Sequence, residues 1–215
     1  GYATFEFRVE DSTGLVAADT NTITIDVTPV DDKPTSDDGT VSVDEDANYT
    51  FTVEDFPFSD VDTGDTLAAI IIENLPNHGT LKLNGVAVKD GDRITIDQIG
   101  NLTFTPDTNQ NGDGYATFQF RVEDSTGLVA ADTNTITIDV TPVDDAPTSE
   151  DNSVSLNEDA TYNFTVEDFP FSDVDVGDTL AAIIIESLPN HGTLKLNGVA
   201  VKDGDRITID QIGNL

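Results

Sequence analysis

The stretch Tyr115-Ala116-Thr117-Phe118-Gln119-Phe120-Arg121-Val122 governs how the rest of the chain is read. Ala116, Phe118, Phe120 and Val122 share one face, and Tyr115, Thr117, Gln119 and Arg121 share the other. A period of two marks a strand buried on one side, because successive side chains leave a pleated backbone in opposite directions. Thr135–Val140 repeats the pattern, with Ile136, Ile138 and Val140 set against Thr135, Thr137 and Asp139. Further strands read from Thr40–Val43, Tyr49–Val53, Leu67–Ile72, Gly79–Leu83, Arg93–Ile96 and Leu102–Thr105. Leu83-Asn84-Gly85-Val86 is a two-residue hairpin signal, since Asn-Gly accepts the positive φ angles of a type I′ turn. No segment carries a 3.6-residue apolar stripe. Short, half-buried strands in this number predict an all-β fold, an antiparallel Greek-key sandwich.

Working outward, the chain repeats itself. Residues 1–102 recur as 114–215 with a shift of 113, and 91 of those 102 positions are identical. A period of this size is one domain, well above a solenoid repeat. The segments Val30-Asp31-Asp32-Lys33-Pro34 and Val143-Asp144-Asp145-Ala146-Pro147 read as linkers, each closing an alternating stretch with acid and proline. Residues 33–145 then form one complete repeat, 1–32 the closing strands of a preceding one, and 146–215 the opening strands of a following one. No secretion signal opens the chain, so it reads as a segment of a longer polypeptide. Its incomplete ends are expected to complete one another head to tail between molecules, residues 1–30 of one on residues 147–215 of the next.

Charge narrows the function. The 215 residues include 42 Asp plus Glu against 9 Lys plus Arg, a net charge of −33. Nucleic acids and anionic membranes need basic surfaces, so neither is expected as a partner. With no cysteine, disulfides, thiol nucleophiles and cysteine zinc sites are excluded together. The longest apolar run, Leu67–Ile72, is too short to cross a bilayer as a helix. Many of the acids suit a solvated surface, but several cluster at turns expected at domain ends: Asp60-Val61-Asp62-Thr63-Gly64-Asp65, Glu123-Asp124-Ser125-Thr126-Gly127 and the linker pair Asp31-Asp32. Carboxylates crowded together repel unless a cation joins them. Calcium, which takes six to eight oxygen ligands, suits such turns.

The succession Glu45-Asp46, Asp60-x-Asp62, His78-Gly79-Thr80-Leu81, Glu123-Asp124 and Val143-Asp144-Asp145-Ala146-Pro147 resembles the cadherin-like, Ig-like tandem repeats of giant bacterial surface adhesins, the RTX extender type included. That resemblance implies calcium (Ca2+) held between successive repeats. Asp31 and Asp32 would then meet Asp60, Asp62 and Asp124, and Glu45, Asp144 and Asp145 would meet Asp173 and Asp175. It further implies a secreted, non-enzymatic extender on the bacterial cell surface. Its partners would be neighbouring repeats of the same polypeptide, and the adhesin's ligand would be bound elsewhere. The linker departs from the longer cadherin motif, which implies fewer than three ions per junction. The alternative is an Ig-like module that itself recognises carbohydrate or protein.

Other motifs carry less. Asp107-Thr108-Asn109-Gln110-Asn111-Gly112 begins like an EF-hand loop, but Phe118 stands where the bidentate glutamate belongs, so a polar turn is expected. His78 and His191 occupy one repeat position without the partners a catalytic base needs. Paired acids can hydrolyse glycosides, yet the chain has no tryptophan to line a sugar cleft. The threonines of Thr133–Thr137 read as the solvent face of a strand.

Overall fold

Alternating valine, isoleucine, threonine and phenylalanine build a chain of strands. A computed structural model describing residues 1–215 contains fifteen strands and four single-turn 3₁₀ helices. The strands are β1 (Ala3–Phe7), β2 (Asn21–Ile25), β3 (Gly39–Asp44), β4 (Tyr49–Thr50), β5 (Leu67–Asn74), β6 (Thr80–Leu83), β7 (Val86–Ala87), β8 (Arg93–Thr95), β9 (Leu102–Thr105), β10 (Gly112–Asp124), β11 (Asn134–Thr141), β12 (Ala182–Ile184), β13 (Lys195–Leu196), β14 (Val199–Ala200) and β15 (Arg206–Thr208). No helix is long and apolar enough to cross a membrane.

The middle of the chain is a two-sheet sandwich. One sheet has the order β3-β11-β10-β5-β8, and the other β4-β9-β6-β7. Burial follows the alternation read from the sequence: Ala116, Phe118, Phe120 and Val122 of β10 and Ile136, Ile138 and Val140 of β11 are buried. Phe118 packs edge-on against Phe51 with ring centroids 5.5 Å apart, and Phe120 against Phe56 at 5.1 Å, joining the layers. The β6–β7 hairpin has Asn84 and Gly85 at φ 52° and 78°, as a type I′ turn requires.

Two expectations are corrected. The sandwich is not wholly antiparallel: β3, the first strand of the unit, pairs parallel with β11, the last, from Gly39↔Ile136 to Asp44↔Thr141. Parallel neighbours need a long crossover, and here the whole intervening unit supplies it. The chain therefore enters at one end of the sandwich and leaves at the other. The strand expected over Tyr49–Val53 stops at Thr50. The Asp55 carboxylate accepts hydrogen bonds from the Thr52 backbone N–H (2.7 Å) and hydroxyl (3.2 Å), turning the chain into a 3₁₀ helix, Val53–Asp55.

The flanking segments repeat pieces of this plan. β1 and β2 form an antiparallel hairpin, Phe5 opposite Ile23, equivalent to a portion of β10–β11. Beyond the second linker, β12 pairs with β15 and β13 with β14, gathered around Val201, Ile207, Ile212 and Leu215.

Candidate metal centre

At the entry end, the loop before β5 folds back on itself through Gly64, whose φ of 109° suits glycine. The Asp62 N–H donates to Asp60 Oδ1 at 2.9 Å, and the Asp65 N–H donates to the Asp62 carbonyl at 3.3 Å. Carboxylate oxygens of Asp31, Asp62 and Asp65 thereby lie within 4.8 Å of one another. The linker is fixed to this loop by the Asp32 N–H, 2.7 Å from Asp62 Oδ2. Asp124, at the end of β10, is fully buried. Its Oδ1 accepts from the Thr126, Gly127 and Leu128 N–H groups and the Thr126 hydroxyl, all at 2.8–2.9 Å. Ser125 ties the two loops together, its hydroxyl donating to Asp65 Oδ1 at 3.0 Å.

The electrostatics divide these acids. Burial pushes the Asp124 carboxyl up, but its hydrogen bonds to Thr126, Leu128 and Gly127 together hold it below the usual aspartate range. For Asp65 the Ser125 hydrogen bond pulls down, yet burial and the charges of Asp31, Asp60 and Asp124 raise it above that range. The fold holds the first carboxylate by hydrogen bonds to Oδ1 alone, and repels the second.

The exit end uses the other buried acid, Glu45, which is 3% exposed. Its Oε1 accepts from the Val143 N–H at 2.8 Å, and both carboxylate oxygens lie 3.2 Å from the Asn111 amide. Two residues along, the Asp145 N–H donates to Asp175 Oδ2 at 2.6 Å, and the Asp175 N–H donates to Asp173 Oδ1 at 3.0 Å. Asp144, Asp175 and Asp178 repeat the cluster of three, again within 4.8 Å. Burial, then the charges of Asp46, Asp175, Glu45 and Asp173, raise Asp145. Burial and the charges of Asp173, Asp144 and Asp175 raise Asp178.

The donors fit a calcium ion. Four buried side-chain oxygens in the chain have no hydrogen-bond partner: Asp60 Oδ2, Asp124 Oδ2, Asp145 Oδ2 and Asn134 Oδ1. Three of them are junction carboxylates, and a buried carboxylate oxygen without donor or cation is costly. Every candidate ligand is oxygen, the hard donor set of calcium or magnesium. With calcium–oxygen distances of about 2.3–2.6 Å, opposed ligands stand about 4.6–5.2 Å apart. Oxygens gathered within 4.8 Å of one another are close enough to share one such ion.

Of the acids singled out in the sequence, Asp31 and Asp62 meet at the entry end and Asp144 and Asp175 at the exit end; the charges of Asp60 and Asp124 reach the entry cluster at Asp65, and those of Glu45 and Asp173 reach Asp145. Asp32 contributes its backbone, while its side chain is exposed. Its repeat equivalent, Asp145, faces Glu45 and Asp46, and no such pair lies below Asp32 in this chain. Asp65 and Asp178 complete the clusters of three, and the charge of Asp46 reaches Asp145; none of these acids was among the expected ligands. Their signal was the third acid of Asp-x-Asp-x-Gly-Asp and the second of Glu45-Asp46. Asp107 stands apart, accepting from the Gly79 N–H (3.1 Å) and the Tyr115 hydroxyl (3.0 Å), and His78 packs its ring against Tyr115.

Residues 31–141, more than half of the chain, match the family described as the bacterial Ig domain. The chain belongs to the bacterial Ig domain family. The matched Ig domain runs from the first linker acid to the last residue of β11, so it takes in the whole sandwich and its entry linker. The chain is also similar to extracellular matrix protein 3 of Lytechinus variegatus, 27% identical over 204 residues and 91% of this chain. A second relative, FRAS1-related extracellular matrix protein 2 of Homo sapiens, is 24% identical over 212 residues, 92% of this chain. The chain spans 6% of the length of each of these relatives.

Proposed function

We propose that this Ig domain is a calcium-rigidified extender repeat of a secreted bacterial surface adhesin, non-enzymatic, holding a distal ligand-binding tip away from the cell. The observation that carries this reading is the set of buried carboxylate oxygens without partners where linker and sandwich meet. Asp31, Asp60, Asp62, Asp65 and Asp124 would hold one ion at the entry end, and Asp144, Asp173, Asp175 and Asp178 its equivalent at the exit end. Glu45 and Asp46, facing Asp145 across the second junction, would add a ligand group from the lower repeat, so that an ion there bridges two domains. The opposite placement of entry and exit suits stacking in a line. The relatives, both named as extracellular matrix proteins, support an extracellular setting.

Melting in EDTA and then in millimolar calcium tests the reading. A ligand that binds only the folded state adds about 2.7 kcal/mol at 100 times its dissociation constant. For a domain of this size that is a rise on the order of 10 °C. A rise no larger than that given by sodium chloride at matched ionic strength would reduce the acids to a solvated, salt-screened surface.

A further inference from the structure

Three tripeptides of the chain, Asn48-Tyr49-Thr50, Asn101-Leu102-Thr103 and Asn163-Phe164-Thr165, have Asn followed two residues on by Thr. That spacing, with any residue but proline between, is the acceptor sequence for asparagine-linked sugars, and the attaching enzyme needs the amide nitrogen and the hydroxyl both within reach. The fold treats the three differently. Asn101 ends the 3₁₀ helix Ile99–Asn101, and Thr103 is half-buried with its hydroxyl donating to the Lys82 carbonyl at 3.4 Å. The Thr165 hydroxyl donates to Asp168 Oδ2 at 3.2 Å, as that of Thr52 does to Asp55 in the complete unit.

Asn48 and Thr50 are exposed on either side of Tyr49, which is held inward by its hydroxyl donating to Asp55 Oδ1 at 3.0 Å. Side chains two residues apart along a strand leave on the same side. The Thr105 hydroxyl donates to Asn48 Oδ1 at 2.5 Å, which fixes the amide and leaves Nδ2 without an acceptor, and the Thr50 hydroxyl makes no hydrogen bond within the fold. The surroundings leave room for a large attachment. β4 is an edge of its sheet, ordered β4-β9-β6-β7, with no strand beyond it. The strand residues this sheet turns outward, Thr50, Thr103, Thr105, Thr80, Lys82 and Ala87, include no acid. The other sheet turns out Asp44, Glu73, Glu123 and Asp139. A net charge of −33 keeps copies of the chain apart, but an acid-free face ending in an open strand edge lacks that protection.

We propose that Asn48 is a glycosylation site, and that the sugar it carries shields the β4 edge and the acid-free face beside it. The new bond joins Asn48 Nδ2 to the anomeric carbon of a sugar delivered on a diphosphate-activated carrier. The bond from that carbon to the phosphate oxygen breaks, its electron pair leaves with the diphosphate, and the amide proton passes to a base of the attaching enzyme. Thr50, turned the same way as Asn48, offers the hydroxyl by which that enzyme recognises the acceptor. A bulky, solubilising group at this position keeps a second strand from pairing with β4. Neither Asn48 nor Thr50 is a junction acid, so the site stands with or without a bound cation.

Peptide mass mapping tests this on two samples. One is the folded 215-residue chain incubated with UDP-glucose and an asparagine-specific glucosyltransferase; the other is the protein recovered from the surface of the cells that make it. In both, the peptide holding Asn48 should carry the mass of a sugar, at higher occupancy than those holding Asn101 and Asn163. Asn48→Gln and Thr50→Ala should each abolish the gain at that peptide, and Thr50→Ser should keep it. Melting of the unmodified variants serves as the control for folding. A bare Asn48 in the protein from its own cells overturns the proposal. So does a folded chain labelled first at Asn101 or Asn163, because a free amide and a free hydroxyl then do not select the site. Attachment at Asn48 that proceeds equally in EDTA and in calcium supports the site even if the calcium reading fails.

Discussion

At the scale of single residues, the junction acids do two opposed jobs. Backbone donors stabilise the charge of Asp124 through its Oδ1, while neighbouring acids repel that of Asp65. Without a cation, Asp65 binds its proton more tightly folded than unfolded, so stability falls as pH rises from its ordinary value of 3.8 through the raised one, and stays lowered at neutral pH. Asp65→Asn removes that penalty and keeps an oxygen for the Ser125 hydroxyl. In EDTA at pH 7 the variant should melt above the wild type, and its rise on adding calcium should be smaller. An Asn variant that melts lower in EDTA would show that Asp65 is not under repulsion. Asp124 runs the other way: its folded value is lowered, so its contribution is present above 3.8 and is lost as pH falls through the folded value. Asp124→Ala leaves the Thr126 and Leu128 N–H groups without an acceptor, and Gly127 with the Asp124 carbonyl alone, and should lower the melting temperature with and without calcium. The carboxylate pairs were legible in the sequence because acids crowded at turns need a partner. Asp65 was passed over because its approach to Asp62 depends on the positive φ of Gly64, and a side chain's direction after such a turn is not written in residue spacing.

Among the elements, alternation carried most of the fold, and the failures mark where side chains compete with the ladder. Tyr49–Val53 has strand composition, yet the Asp55 carboxylate accepts from Thr52 and from the Tyr49 hydroxyl, so the segment bends after two residues. That hydrogen bond, burial and the Asp55 charge push the Tyr49 hydroxyl up to about 12, led by burial. The parallel β3–β11 pair was also missed, because periodicity fixes which face is buried and says nothing about which neighbour a strand takes. β6 shows how closely the layers fit. Just before it, beside β9, stands Gly79, where φ is 69° and an added Cβ would lie 2.5 Å from the Phe104 ring and 2.7 Å from the Thr105 carbonyl. Gly79→Ala should cost roughly 2–4 kcal/mol, combining left-handed strain with overpacking. The equivalent Gly192 also has positive φ but meets nothing within 4 Å. Gly192→Ala should therefore cost strain alone, and urea unfolding of the two variants gives the comparison. Equal losses would mean that the contact with Phe104 is easily relieved.

For the whole molecule, the question is how one repeat is held to the next. The second linker is tied on both sides within three residues: Val143 to Glu45 of the lower unit, and Asp145 to Asp175 of the upper one. A cation shared by these acids should stiffen that joint. Small-angle scattering should give a longer, less flexible particle in calcium than in EDTA. Asp144→Asn with Asp145→Asn should abolish the difference, whereas Asp90→Asn with Asp203→Asn, which removes the same charge, should leave it. A maximum dimension unchanged by calcium would make any bound ions local to each domain. The parallel pairing of β3 with β11 has a mechanical consequence for such a string. Tension enters a repeat through the linker before β3 and leaves through the linker after β11, at opposite ends of two strands bonded side by side over six residue pairs. A pull along that line slides the strands past each other and loads all the bonds of the ladder at once, where an antiparallel pair tugged from a single end would unzip, its bonds failing in succession.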